Sequence, residues 1–325
     1  MKDKILRMLM QSYPDYISGE VLSEQLGISR AAIWKHIKAL RLEGYNIHSV
    51  TNRGYVLITE LKTLNQHALE DIKENQELFD FAYYYDSIDS TNTEAKRLAL
   101  KGHNQQGLIV SAEQTAGKGR LGRTWESKKA EGLWMSLLLR PKVTISAAPV
   151  LTLVAATAMC ETLITLTHLE VKIKWPNDLV IEQKKVCGIL TEMSSELNQL
   201  HYVVLGIGVN LSQASFNQEL REKASSLTQM GVEVTDKQIL KKFLDIFFLY
   251  YNDYLAGDVS KVIEFHRSHS ATVGKDVRII EKDQVRHVRA IDVDETGQLI
   301  VLNEQGEKEA IYAGEVSVRG MDGYI

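Results

Sequence analysis

The chain has 325 residues, of which 44% are hydrophobic and 25% are charged, and this composition is typical of a globular protein. Its length predicts two or three domains. The two cysteines, Cys160 and Cys187, exclude a disulfide-rich secreted scaffold and favour a reducing compartment. The N-terminus lacks the apolar stretch of a signal peptide, and polar residues and a proline interrupt the apolar run over 145–160. We therefore expect a cytoplasmic protein without a membrane span.

Charge is divided unevenly along the chain, whose net charge is −4. Residues 1–62 hold nine Lys and Arg against six Asp and Glu, a net +3, which leaves −7 for the remainder. A basic segment on an acidic body suggests nucleic acid as a partner of the N-terminal part.

The first 62 residues carry the pattern of a winged helix-turn-helix. Apolar residues at helical spacing predict a first helix near the N-terminus, and further helices are predicted over 19–26 and 30–43. Gly27 is the stop signal of the second helix. Ser29 is the start signal of the third helix, and Gly44 is its stop signal. Two helices joined by a short glycine-containing turn are typical of this motif. Strands over 47–50 and 55–58 then predict a hairpin wing.

The third predicted helix would bury Ile33, Ile37 and Leu40 and turn its polar face outward. The residues predicted to contact DNA are Ser29, Arg30, Ala31, Trp34 and Lys35 at the start of this helix, and Arg53 at the tip of the wing. A helical protein-interaction module with a basic face is the alternative interpretation. The wing favours DNA.

A loop over 117–125, Gly-Lys-Gly-Arg-Leu-Gly-Arg-Thr-Trp, concentrates three glycines, three cations and an indole. Glycines permit close backbone approach, Lys and Arg donate to phosphate or carboxylate, and tryptophan can stack on adenine. Buried strands are predicted on both sides, over 108–113 and 133–139, whereas a dinucleotide-binding G-x-G-x-x-G must open a helix. The sequence also lacks the kinase motifs H-R-D and D-F-G and the phosphate-loop motif G-x-x-x-x-G-K-[ST]. We interpret the segment as an anion-binding loop.

Three further segments place polar residues where a ligand could bind. Thr91 and Glu94 form a predicted capping box at a helix N-terminus, where spare hydroxyls suit a polar ligand. A turn at Pro176-Asn177-Asp178 precedes two strands joined by a turn over 183–185. Lys185 follows before an apolar strand, and a lysine facing the core there would need an anionic partner. A central strand over 203–210 contains two glycines that allow close backbone approach.

Other segments have plainer interpretations. A long apolar helix over 146–166 is expected in the core, and a polar helix over 64–78 is expected to link or dock the first domain. Cys187 is expected to be a small buried hydrophobe, because no histidine base lies near it in sequence. His266 and His269 share a predicted helix face and are expected on the surface, and no metal site is predicted because no further ligands accompany them.

The loop 117–125, the segment Lys-Trp-Pro-Asn-Asp over 174–178 and the segment Gly-Ile-Gly-Val-Asn over 206–210 together resemble the motifs of biotin protein ligases. The resemblance implies a biotin-binding set of Ser90, Thr91, Asn92, Gln114, Lys118, Gly119, Arg120 and Lys185. It implies an adenylate-binding set of Arg123, Trp125, Asp178 and Asn210, and it assigns catalysis to Lys185 and Arg120. Position 118 is lysine where many relatives carry arginine, which keeps the charge but loses the bidentate fork.

The resemblance covers the whole chain and implies an α+β multidomain protein. A winged helix-turn-helix domain over 1–62 would be followed by a central α/β ligase domain over 63–272, with a mixed sheet similar to that of class II synthetases. An SH3-like β-barrel over 273–325 would complete the chain. Short strands broken by Asp and Gly turns independently favour a five-stranded module there, in which no chemistry of its own is expected.

The chemistry implied by this family is a two-step biotin transfer. The biotin carboxylate attacks the α-phosphate of ATP, which brings Mg²⁺, and gives biotinyl-5′-AMP and pyrophosphate. A lysine of a biotin carboxyl carrier protein then attacks the adenylate and releases AMP. The resemblance also implies repression of biotin genes at operator DNA by a homodimer that forms with bound biotinyl-AMP.

Two alternative functions share features with this interpretation. A lipoate ligase would share the fold class, and the segment Ser90-Thr91-Asn92 with the glycine loop argues against it. A ligand-sensing repressor that has lost catalysis would share the domain order, and the retained Lys185 and Arg120 argue against it.

Overall fold

A computed structural model of the chain describes residues 1–43, 45–57, 64–74, 78–102, 104–196, 199–214, 216–218, 220–281, 284–313, 316–321 and 324. The chain divides into two compact units, Met1–Leu64 and Asn65–Ile325. Several sequence predictions fall outside the described residues: the domain junction at 62 and 63, the helix stop at Gly44 and the last wing residue Ile58.

In the described part of the first unit, three helices and a hairpin enclose one apolar cluster. The elements are α1 (Lys2–Ser12), α2 (Gly19–Leu26), α3 (Arg30–Leu42), β1 (Ile47–Val50) and β2 (Gly54–Leu57). Ser18 caps α2 and Ser29 caps α3, because each side-chain oxygen accepts a bond from a backbone N–H of the first turn. Gly27 ends α2 in the left-handed conformation, with φ of +64°. The predicted helix-turn-helix is confirmed.

The core of the first unit holds the predicted face of α3. Ile33, Ile37 and Leu40 are fully buried and pack in one cluster with residues of α1, α2 and the hairpin. Fully burying one such side chain stabilises the fold by about 1.5–3 kcal/mol. The two strands of the wing are antiparallel. Gly54, the first residue of β2, has φ of +104°, and the Ile17 carbonyl leaves no room for a Cβ there. The wing prediction is confirmed as a hairpin.

The second unit is built on a large mixed sheet. Its described elements before the C-terminal module are α4 (Gln66–Glu74), β3 (Phe81–Tyr85), α5 (Thr91–Leu100), β4 (Gly107–Ser111), β5 (Gly132–Leu139), α6 (Val150–Thr167), β6 (Lys172–Lys174), β7 (Asp178–Ile181), β8 (Lys184–Glu196), β9 (Gln199–Asn210), α7 (Asp236–Leu255) and α8 (Ser260–Ser268). Among the described residues the strand order is β3-β4-β5-β9-β8-β7-β6, with β9 in the middle. Strands β3 and β4 are parallel and the other neighbours are antiparallel. The predicted mixed sheet is confirmed.

Helix α6 is the core helix of this unit. It begins at Val150, four residues later than predicted, after a short 3-10 turn over Ile145–Ala147. Among the described helices, the segment Ile145–Thr167 is long and apolar enough to cross a membrane, and 67% of its apolar window is buried inside the fold. It packs against α7, α8 and the large sheet, as expected for a core helix.

Two predicted elements differ from the observed ones. The helix predicted over 64–78 is α4, which belongs to the second unit and packs on β3, and residues 75–77 lie outside the described residues. The side chain of Gln66 anchors it, accepting from the Tyr84 N–H at 2.8 Å. The turn between β7 and β8 is Glu182-Gln183, with φ of +48° and +64°, as two-residue hairpin turns require. The prediction of this turn over 183–185 was therefore wrong, and Lys185 lies within β8.

The surface prediction for His266 was wrong. Its side chain is fully buried on the face of α8 that also buries Val262 and Ile263, because the tertiary packing of α8 on α6 covers that face. Neither ring nitrogen has a hydrogen-bond partner among the described residues, and burial lowers the pKa of His266 to about 4. His269 is half-buried and stacks on Phe265, with ring centroids 4.0 Å apart.

The C-terminal module is an antiparallel sheet. Its described strands are β10 (Asp276–Glu281), β11 (Gln284–Val293), β12 (Leu299–Leu302), β13 (Lys308–Ile311) and β14 (Val316–Gly320). Among the described residues their order is β13-β12-β11-β10-β14. The module is fastened to the rest of the unit by Trp175, whose Nε1 donates to the Gly297 carbonyl at 3.0 Å, and by an ion pair between Arg267 and Asp292. These contacts bring β14 close to the segment Lys174–Asp178.

Candidate active site and nucleic-acid interface

Two adjoining cavities in the second unit contain the predicted site residues. The smaller, of about 40 Å³, is lined by the whole predicted biotin-binding set: Ser90, Thr91, Asn92, Gln114, Lys118, Gly119, Arg120 and Lys185. The larger, of about 350 Å³, is lined by the whole predicted adenylate-binding set: Arg123, Trp125, Asp178 and Asn210. Lys185 and Arg120 line both cavities and therefore stand where the two meet.

The glycine loop forms the wall shared by the two cavities. Its backbone closes on itself, because the Gly119 N–H donates to the Arg123 carbonyl at 2.7 Å and the Trp125 N–H donates to the Gly117 carbonyl at 3.0 Å. Of its three glycines only Gly122 has a positive φ, +72°. A Cβ at Gly117 would lie 2.4 Å from the Trp125 carbonyl oxygen. Gly122 therefore provides conformational freedom, whereas Gly117 permits the close backbone approach that the sequence predicted.

The glycines of the sheet make room for the side chains of the site. A Cβ at Gly208 would lie 2.5 Å from Nε1 of Trp125, and a Cβ at Gly206 would lie 2.1 Å from Oδ1 of Asn92. Since real Cβ contacts of that length do not occur, a larger residue at either position would displace the neighbour. Both glycines lie on the central strand β9, so the indole and the amide rest directly on the sheet.

A compact group of charges lies at the junction of the cavities. Lys185 Nζ is 2.5 Å from Oδ1 of Asp178 and 4.8 Å from the centre of the Trp125 ring. The predicted anionic partner of Lys185 is thus Asp178. Burial by itself raises the pKa of Asp178, but attraction by Lys185 and Lys174 outweighs it and holds the pKa below its ordinary value. The carboxylate is ionised at neutral pH and neutralises part of a strongly cationic pocket.

Lys174 is a buried lysine in the segment 174–178, and no sequence pattern predicts a role for it. It is 3% exposed, and its amine has no hydrogen-bond partner among the described residues. The amine lies 3.3 Å from the ring centre of Tyr324. Burial lowers the pKa of Lys174 to about 6, against the opposing attraction of Asp178. An anion entering the larger cavity would stabilise its charged form.

Arg120 connects the glycine loop to two other parts of the site. One guanidinium nitrogen donates to Oδ1 of Asn177 at 3.0 Å, and the other donates to the carbonyls of Val316, at 3.1 Å, and of Ala313. Asn177 in turn donates to the Ile189 carbonyl at 2.7 Å. Burial lowers the pKa of Arg120, although an arginine stays charged at neutral pH. The side chain is therefore held at the junction by contacts on both sides.

The C-terminal module contributes directly to the larger cavity, and the expectation that it brings no chemistry was wrong. Ser317, Val318, Arg319 and Tyr324 line this cavity. The Tyr324 hydroxyl donates to Oδ2 of Asp178, and its ring lies under both Lys174 and Arg319. No local motif marks these residues, because they reach the site through the packing of β14 against a segment about 140 residues earlier in the chain.

The segment Ser90-Thr91-Asn92 begins α5 at the smaller cavity. Ser90, and not Thr91 as predicted, is the N-cap, with its oxygen accepting from the Thr93 N–H. Thr91 is the first residue of the helix, and its N–H donates to Oε1 of Gln114 at 2.8 Å. The predicted capping box therefore began one residue too late. Ser90 and Thr91 are both good N-cap residues, and only the backbone conformation distinguishes them. The shift frees the Thr91 hydroxyl for other contacts.

The far wall of the larger cavity is held by backbone pairing beside Lys185. The Lys185 N–H donates to the Lys223 carbonyl at 2.8 Å, and the Ser225 N–H donates to the Lys185 carbonyl at 2.9 Å. Asn210, which is 3% exposed, donates its amide to the Ser225 carbonyl at 3.1 Å. Cys187 is fully buried, and burial raises the pKa of its thiol, so it is a hydrophobe as expected and not a nucleophile.

The predicted DNA-contacting residues lie at the exposed start of α3 and on the wing of the first unit. The exposed set is Ser29, Arg30, Ala31, Trp34 and Lys35 on the helix and Arg53 on the wing. Trp34 is 53% exposed and Lys38 lies over its ring at 5.5 Å. Arg30 pairs with Glu20 at 2.8 Å, and Arg53 stacks on Tyr16 at 4.4 Å. The face is cationic and accessible, which suits a phosphate backbone.

Comparisons with known families agree with the order of the domains. The Biotin/lipoate A/B protein ligase family matches residues 84–210, an HTH domain family matches residues 2–56, and the Biotin protein ligase C terminal domain family matches residues 272–319. The three matches follow one another along the chain and cover the helix-turn-helix and most of the residues that line the two cavities.

Individual relatives extend this likeness over the full chain. The chain is 33% identical to the bifunctional ligase/repressor BirA of Bacillus spizizenii over 321 residues, which covers 98% of each chain. It is 28% identical to the bifunctional ligase/repressor BirA of Escherichia coli, covering 95% of this chain and 94% of that one. The solved structure of a biotin protein ligase from Aquifex aeolicus in complex with biotin and ATP matches with a TM-score of 0.66 at 28% identity, covering 74% of this chain and 100% of the other.

Proposed function

Because the chain belongs to the family of bifunctional biotin protein ligases and repressors, we propose that it activates biotin with ATP and transfers it to a carrier protein. In the first step the biotin carboxylate attacks the α-phosphate of ATP and pyrophosphate leaves. In the second step the amine of a carrier lysine attacks the acyl carbon of biotinyl-5′-AMP, and AMP leaves. The lysine belongs to a biotin carboxyl carrier protein.

One observation carries this proposal: Lys185 and Arg120 line both cavities, at the place where a carboxylate from one would meet a phosphate from the other. The reaction needs two anions to approach each other, and cations at that point lower the cost of the approach. Their positions are fixed before the reaction, Lys185 by Asp178 and Arg120 by Asn177. Preorganised charge of this kind stabilises a transition state without reorganisation.

No enzyme nucleophile is needed for either step, so the protein acts by positioning and charge. Ser90, Thr91, Asn92, Gln114, Lys118 and Gly119 would hold biotin in the smaller cavity, and Arg123, Trp125, Asp178 and Asn210 would hold the adenylate in the larger one. Trp125 would stack on the adenine ring. Mg²⁺ would enter with ATP as part of the substrate.

The glycine loop forms the wall shared by the two cavities, and its tip is exposed. We expect the loop to open for biotin and to close over the adenylate.

We further propose that residues 1–62 form the DNA-binding domain, 63–272 the catalytic domain and 273–325 the C-terminal domain. The protein would repress biotin genes as a homodimer loaded with biotinyl-AMP, in the cytoplasm. A single small winged helix neutralises few phosphates and binds weakly at physiological salt, so a two-fold dimer reading two half-sites is expected. Ordering the glycine loop by the adenylate would couple the two functions.

A lipoate-type ligase remains the second candidate, because the matched family includes both kinds of enzyme. Exchange of labelled pyrophosphate into ATP distinguishes them when it is measured with biotin, lipoate or neither. The proposal predicts exchange with biotin alone. Exchange with lipoate alone would favour the second candidate, and exchange with neither would leave a repressor without catalysis.

A further inference from the structure

The amide of Asn92 is held by a charged side chain that lines neither cavity. Asn92 is 4% exposed, and its Nδ2 donates to Oε2 of Glu192 at 2.8 Å. Glu192 lies on β8, and its other oxygen pairs with the amine of Lys96, one turn further along α5 than Asn92. Burial raises the pKa of Glu192, but hydrogen bonds from Lys96 and Asn92 outweigh it and keep the carboxylate ionised.

The carboxylate determines which way the Asn92 amide points. An ionised carboxylate only accepts hydrogen bonds, so the amide must turn its NH₂ group toward Glu192. A weaker second contact of the same nitrogen, 3.4 Å to the Leu190 carbonyl, favours the same orientation. Oδ1 of Asn92 consequently faces Ser136, whose hydroxyl oxygen is 2.6 Å away. The missing side chain of Gly206 provides the space for this arrangement.

The orientation of Asn92 then sets the direction of a short hydroxyl chain. Ser136 is fully buried and has one proton, which the acceptor-only Oδ1 of Asn92 receives. The same Ser136 hydroxyl is also directed at Oγ1 of Thr91, 2.7 Å away. The Thr91 hydroxyl in turn donates to Oε1 of Gln114 at 3.1 Å. One chain of polar contacts thus runs from Glu192 through Asn92, Ser136 and Thr91 to Gln114 at the smaller cavity.

We propose that Glu192, paired with Lys96, is a positioning residue that fixes Thr91 and Gln114 in place for hydrogen bonds to the biotin ureido ring. Glu192 does not touch the ligand and acts through Asn92 and Ser136. The ureido ring carries two N–H donors and a carbonyl acceptor, and a site with fixed polar side chains discriminates against ligands that lack such groups. This inference rests on the proposed function, since it assigns the smaller cavity to biotin.

The test measures the KM values for biotin and for ATP separately in pyrophosphate exchange. In Glu192→Leu the KM for biotin should rise roughly 10- to 100-fold, the range expected when a hydrogen bond to a charged group is lost, while the KM for ATP stays within about 2-fold. Desthiobiotin keeps the ureido ring and lacks the thioether ring, so its KM should rise by the same factor. Glu192→Gln keeps an acceptor for Asn92 and should restore the biotin KM to within about 3-fold of the parent.

Glu196→Leu is the matched control, because Glu196 lies on the same strand with its side chain 78% exposed. It should leave both KM values unchanged. An unchanged biotin KM in Glu192→Leu, or equal rises in the KM for biotin and ATP, would overturn the inference while the parent stays active. If Glu192→Leu lacks a cooperative melting transition, Ser136→Ala replaces it, because this variant interrupts the same chain of polar contacts. The KM for biotin must then rise in Ser136→Ala while the KM for ATP does not, or the inference fails. A parent without biotin-dependent exchange would instead overturn the proposed function.

Discussion

Replacing Lys185 with alanine should nearly abolish adenylate formation without unfolding the protein. The Lys185 amine lies 2.5 Å from Asp178, and its side chain is 21% exposed, so its charge is largely shielded from water and fixed in place. It lines both cavities, where the attacking carboxylate and the α-phosphate would meet. Loss of one preorganised contact to developing charge costs roughly 3–4 kcal/mol, or about 100- to 1000-fold in rate. Arg120→Ala should fall in the same range.

The assay is pyrophosphate exchange at saturating biotin and ATP, with melting temperatures as a check on folding. Lys184→Ala is the control, because Lys184 is the preceding residue of β8 and is exposed. It should keep the parent rate. Exchange by a folded Lys185→Ala variant within about 10-fold of the parent would refute the assignment, since ordinary surface charges account for changes of that size.

Four further outcomes are expected. Trypsin should cut between Lys118 and Arg123 more slowly once biotin and ATP are added, because an anion orders the repelling cations; equal rates would contradict this. Gly208→Ala should raise the KM for ATP by about 10-fold, since a Cβ there would lie 2.5 Å from the Trp125 indole, and an unchanged KM would show that the ring does not contact the nucleotide. Burial lowers the pKa of His266 from an ordinary 6.5 to about 4 in the fold. Acidification from pH 6.5 to 4 should therefore cost about 3 kcal/mol of stability, which the His266→Leu variant should not lose. Parallel pH profiles of parent and variant would refute this. Biotin with ATP should convert monomer to dimer in sedimentation and tighten operator binding at fixed salt, and equal affinity with and without ligand would remove the repressor function.

Local signals in the sequence predicted the parts of the fold that depend on local chemistry. Ser29 and Gly27 delimit the helix-turn-helix because capping and left-handed backbone are properties of single residues. The apolar segment 203–210 with its two glycines likewise predicted a central strand, which is β9. Where two adjacent residues could both cap, as at Ser90 and Thr91, the sequence alone did not distinguish them.

The errors concern features that tertiary packing decides. His266 lies on a helix face that periodicity identified, but which side of α8 meets α6 depends on segments about 100 residues apart. Tyr324 and Lys174 meet through the docking of the C-terminal module, and no spacing in the chain indicates that contact. Glu192 is separated from Asn92 by a hundred residues and becomes its partner only through the packing of α5 on the sheet.

Ligation itself is tested most directly by mass spectrometry of a biotin carboxyl carrier domain incubated with the full chain, biotin and ATP with Mg²⁺. The account predicts that the carrier gains the mass of one biotinyl group on a lysine, that omission of ATP prevents the gain, and that lipoate does not replace biotin. A carrier of unchanged mass, under conditions in which a known biotin protein ligase modifies it fully, would contradict the account.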